Sequence, residues 1–87
     1  MSSREQHKPD PFPREESIVF GSNVERLRTD EGLSVTRFCQ MADISRPTLY
    51  AIESGEGDPH LSVMVKVARA LGVNLGELLI SRWWEYE

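Results

Sequence analysis

The sequence predicts an all-α domain of five short helices. Three observations point there. Apolar residues recur at three- and four-residue spacing from Phe20 to Leu79. Gly32, Gly55 and Gly72 stand where those periodic segments stop, as left-handed C-terminal residues do. Small polar residues stand where the segments begin, and no stretch shows the alternation of a strand.

Ser17 is placed to cap a first helix with Phe20, Val24 and Leu27 on its inner face, closed by Gly32. Ser34 caps a second, with Leu33 and Phe38 as a hydrophobic staple and residues 35, 38, 39 and 42 inward. Periodicity also assigns Met41 and Met64 to the core. Asp43 falls in the turn between helices, at a position expected to need positive φ, which aspartate tolerates better than most residues. Ser45 caps a third helix, Ile44 and Leu49 staple it, and Gly55 stops it. Pro47 fits its first turn, where backbone N–H groups lack helical partners. After the loop Gly57-Asp58-Pro59, Ser62 is expected to cap a fourth helix facing inward through Leu61, Met64, Val65, Ala68 and Leu71, up to Gly72. Asn74 and Glu77 form a capping box for a fifth, which Val73 and Leu78 staple and whose Leu75, Leu78 and Leu79 point to the core.

The 87 residues suffice for one domain, near the size at which oligomerisation becomes a useful supplement to the core. We divide the chain into a flexible Pro-containing arm (1–16), the helical domain (17–80) and an aromatic tail (81–87). Pro9, Pro11 and Pro13 exclude helix from the arm. There is neither an apolar run long enough for a membrane span nor a secretory apolar segment behind the first charges. The single cysteine fits a reducing compartment, so a cytoplasmic location is expected, and Cys39 reads as a small buried hydrophobe. His7, His60 and Cys39 lack metal-ligand spacing, and no nucleophile–base set is present. No cofactor and no enzymatic activity are expected.

Residues 33–55 combine two short helices across a tight turn, with one face of each in a shared core. That arrangement sends the start of the second helix, Ser45-Arg46-Pro47-Thr48, outward. A helix-turn-helix that reads DNA needs this, because its second helix enters the major groove N-terminus first. Double-stranded DNA is therefore the expected partner. The net charge of −4 pulls the other way, since phosphate neutralisation normally leaves a basic footprint. Any positive patch must come from arrangement, with Arg37, Arg46 and His60 gathered on one face.

Residues 20–80 resemble the small helix-turn-helix domains of the Cro and lambdoid-repressor (XRE-like) family. The matching residues include Phe20-Gly21, Val24, Leu27-Arg28, Gly32-Leu33-Ser34, Ile44-Ser45, Leu49, Ile52-Glu53, Gly55, Pro59, Leu61, Ala68, Leu71-Gly72-Val73 and Leu78-Leu79. The resemblance implies a five-helix lambda-repressor-like fold, and sequence-specific operator binding as a homodimer, mostly in repression. It places base reading on Arg46, Pro47, Thr48 and Ala51, with Ser45, Tyr50 and Ser54 near the backbone. Arg46 leads, because arginine is the commonest bidentate reader of guanine. Val35 replaces the family's usual glutamine, which leaves that phosphate contact to Thr36, Arg37 or backbone N–H groups. Glu56-Gly57-Asp58 replaces a commonly basic loop and leaves His60 as its cation. Arg28 and Glu53 match the family's structural ion pair.

Trp83, Trp84 and Tyr86 crowd the last five residues. We assign them, with Leu79, to a homodimer interface, the alternative being a cover over their own core. Two functions follow. One is a homodimeric DNA-binding regulator on a palindromic operator. The other is an antitoxin-like or regulatory protein-interaction module that keeps the fold and binds a protein partner.

Overall fold

Glu15 and Glu16 place two carboxylates in the first turn of α1 (Arg14–Asp30), where the helix presents its positive end. The computed structural model describes residues 14–81, in which four further helices follow: α2 (Val35–Ala42), α3 (Arg46–Ser54), α4 (Leu61–Leu71) and α5 (Leu75–Leu78). The all-α expectation holds among the described residues. The arm as far as residue 13 and Trp83, Trp84 and Tyr86 lie outside them.

The caps explain most boundaries. The Ser34 and Ser45 hydroxyls accept the N–H groups of Arg37 and Thr48, at 3.0 and 3.2 Å. Gly32, Gly55 and Gly72 all have φ between 72 and 79°, and Asp43 is the one non-glycine residue with positive φ among those described, at 60°. Two caps differ from expectation. Chain is already helical at Arg14, so Ser17 lies inside α1. At α4 the cap position belongs to His60, whose extended backbone lets its carbonyl accept the Val63 and Met64 N–H groups. Ser62 therefore falls within the helix. At α5, Asn74 does hold the cap position without a side-chain bond to the backbone, and its amide reaches Glu77 instead.

Phe20, Val24, Phe38, Leu49, Ile52, Val67, Ala68, Leu71 and Leu78 form the core, with Cys39 and Ala42. Leu27, Leu33, Val35, Ile44, Met64 and Leu75 pack around it. Three residues assigned inward are exposed: Met41, Leu61 and Leu79. Met41 sits at the margin of the α2 stripe. Leu61 is on the right stripe of α4 but in its first turn. Leu79 follows the last residue of α5, where the helical phase that buries Leu78 has ended.

Burial pushes the Cys39 thiol up from its ordinary range, which keeps it protonated at neutral pH and supports its reading as a core residue. Among the described residues no helix is long and apolar enough to cross a membrane.

Helix α1 packs chiefly on α3. They approach so closely that a Cβ on Gly21 would fall on the Ile52 carbonyl oxygen. This contact, with the Arg28–Glu53 pair beside it, fixes the back of α3 and so the direction of its front.

Candidate nucleic-acid interface

Leu49 and Ile52 are the apolar anchors of α3, and both are buried. Helical geometry then turns Arg46, Pro47, Tyr50 and Ser54 to solvent, with Thr48 and Ala51 half-buried at the edge. On α2, burial of Phe38 and Cys39 likewise exposes Thr36 and Arg37.

Hydrogen bonds order this surface. The Ser45 and Thr48 hydroxyls lie 2.8 Å apart, so each occupies the other at the helix start. Ser54 donates to the Ala51 carbonyl within its own helix. Arg46 Nη2 donates to Thr36 Oγ1 at 2.9 Å and bridges α2 to α3. These are two residues that the sequence suggests separately, and the fold joins them. Lys66 reaches the Asp43 carbonyl and carboxylate at 3.3 and 3.5 Å, so part of α4's positive charge is spent on the turn.

Beside α3 lies a groove of about 250 Å³ lined by Thr48, Ala51, Ile52, Gly57, Asp58, Pro59, His60 and Val63. It brings His60 to the flank of Thr48 and Ala51. Gly57, Pro59 and Val63 were not legible as part of this surface, because they come together only when the loop folds back against α3. That return is held by the Glu56 and Gly57 N–H groups, both donating to the Ala51 carbonyl at 3.1 Å. Asp58 stands on the same rim and adds a carboxylate to that flank. Tyr50 is exposed, which leaves its hydroxyl accessible.

Behind the surface, Arg28 makes a two-point contact with Glu53, Nε to Oε2 at 2.7 Å and Nη2 to Oε1 at 3.0 Å. The hydrogen bond to Glu53 raises the Arg28 pKa above its already strongly basic range. Among the described residues no three His, Cys, Asp or Glu side chains gather as a metal site.

The helix-turn-helix family model matches residues 24–78, and the chain belongs to that family, in its XRE-like group. It is similar to the SPbeta prophage-derived uncharacterized HTH-type transcriptional regulator YonR of Bacillus subtilis. The two are 31% identical over 61 residues, 70% of this chain and 56% of that one, so the chain spans little more than half the relative's length. Among solved structures, the restriction-modification controller protein C.AhdI from Aeromonas hydrophila superposes with a TM-score of 0.69 at 28% identity, over 74% of this chain and 97% of that one. The hypothetical transcription factor NHTF from Neisseria shares the fold, with a TM-score of 0.75 at 24% identity over 92% and 94% of the two chains.

Proposed function

We propose that this chain is a cytoplasmic transcriptional repressor that binds a palindromic operator as a homodimer. The observation that carries the reading is the exposed front of α3, fixed from behind by Leu49, Ile52 and the Arg28–Glu53 pair. In this reading Arg46 contacts a guanine edge, and Pro47, Thr48 and Ala51 line the rest of the base-facing surface. Arg37, Ser45, Tyr50, Ser54 and His60 lie toward the phosphates, and Thr36 stands against Arg46. One such helix contacts too few bases for useful specificity, and an acidic chain gains little from phosphates. Two copies with α3 helices about 34 Å apart would double the contacts.

The dimer is assigned to the C-terminal end, where Leu79 and Ile80 expose apolar surface and Trp83, Trp84 and Tyr86 follow in sequence. Selection from a random DNA pool at moderate salt tests the function. A recovered palindrome is the expected result, and absence of any enriched sequence overturns it.

The same exposed Leu79 and Ile80, in a chain of net charge −4, favour a second reading as an antitoxin-like or regulatory module with a protein partner. A chain that enriches no sequence but is captured by a specific protein would take this role instead.

A further inference from the structure

We propose that Thr36 is a positioning residue for specificity, holding the Arg46 guanidinium in the attitude from which α3 reads a base. The inference rests on the reading of α3 as the recognition helix. Thr36 Oγ1 accepts from Arg46 Nη2 at 2.9 Å, across the turn between the two helices. Both side chains are exposed, so the bond neither fills a void nor satisfies a buried group.

The hydroxyls at the start of α3 and the helix's one carboxylate are engaged elsewhere. The Ser45 and Thr48 hydroxyls are bonded to each other, and the Glu53 carboxylate is held by Arg28. Arg46 begins α3, at the positive end of the helix, where a cation gains nothing from the backbone. Left alone, its long side chain would sample many rotamers. Two-point reading of guanine requires the planar guanidinium in one orientation, and ordering it only on binding would cost affinity for the correct base. A hydroxyl suits the task better than a carboxylate. It orients the group through one N–H, leaves the other donors for a base edge, and does not cancel the charge that DNA attracts.

The test compares wild type with Thr36→Val, Thr36→Ser and Arg46→Ala in random-pool selection and in binding at two salt concentrations. Thr36→Val removes the hydroxyl but keeps the branched shape, and its thermal melt checks folding. We expect Thr36→Val to lose roughly tenfold in preference at the base position that Arg46→Ala abolishes. Its other positions and its salt dependence should match wild type. Thr36→Ser should restore the preference, and Thr36→Val added to Arg46→Ala should change nothing more.

A Thr36→Val site logo identical to wild type overturns the inference. So does uniform weakening on all sequences with the salt slope unchanged, which would make Thr36 a neutral phosphate contact. Either result leaves α3 as the reading helix. Wild type that enriches no sequence overturns that reading and this inference together.

Discussion

Arg28 grips both carboxylate oxygens of Glu53, at 2.7 and 3.0 Å, and spends a third donor on the Leu33 carbonyl at 2.8 Å. One guanidinium thus ties α1 to α3 and to the entry of α2. Both side chains are only 11% exposed, so solvent screens the pair weakly. Removing either partner strands the other charge, and Arg28→Ala or Glu53→Ala should each cost roughly 3 kcal/mol. Urea titration measures this. Two single variants as stable as wild type would mean the pair contributes nothing net. Because Arg28's pKa is raised, its stabilising share is complete below its ordinary basic range and is lost only as pH climbs through the still higher folded value. Arg28 therefore adds no pH dependence to stability around neutrality.

Gly21→Ala should be among the most damaging small substitutions in the chain. Its Cβ would overlap the Ile52 carbonyl, which is backbone and cannot swing away. We expect a loss of about 2–3 kcal/mol, as in other overpacked contacts. Gly76 is the control: a Cβ there meets nothing within 4 Å, and Gly76→Ala in α5 should gain up to about 1 kcal/mol. Opposite shifts of the melting temperature are the readout.

Asn23 is 1% exposed and donates through Nδ2 to the Leu78 and Ile80 carbonyls, at 2.9 and 3.0 Å. It latches the end of α5 to the middle of α1. Asn23→Ala leaves those acceptors without the amide and should cost about 2 kcal/mol. Amide hydrogen exchange should show the loosening concentrated after Val73, ahead of the rest of the domain.

Arg46→Ala should lose about 1–3 kcal/mol at one base position per half-site. Arg37→Ala should instead weaken every sequence alike and lower the salt slope by about one. Binding isotherms on site variants at several salt concentrations separate the two. Identical profiles for both variants would refute the division of roles.

Sedimentation at micromolar concentration should show a dimer. Truncation after Ile80 should shift it toward monomer and weaken operator binding. A truncated chain that stays dimeric would assign Trp83, Trp84 and Tyr86 to covering their own core and move the interface elsewhere on the helices.

Local chemistry made much of this fold readable in advance. Ser34, Asp43, Ser45 and the three helix-ending glycines each act on backbone within a few residues, so their roles follow from sequence spacing alone. The inner faces of α2 and α3 follow equally from helical periodicity, and with them the outward turn of Arg46. Edges were less legible. Met41, Leu61 and Leu79 carry apolar side chains in or beside the right phase, but exposure depends on whether a neighbouring helix reaches them. Tertiary structure alone decided that Asn23, a polar residue on an apolar face, meets two carbonyls 55 and 57 positions away. It also decided that Thr36 and Arg46 meet across a turn, and that the 57–60 loop folds back beside α3. Such contacts depend on the relative placement of whole helices, set by the Gly21–Ile52 approach and the Arg28–Glu53 pair, and residue order within one helix does not encode it.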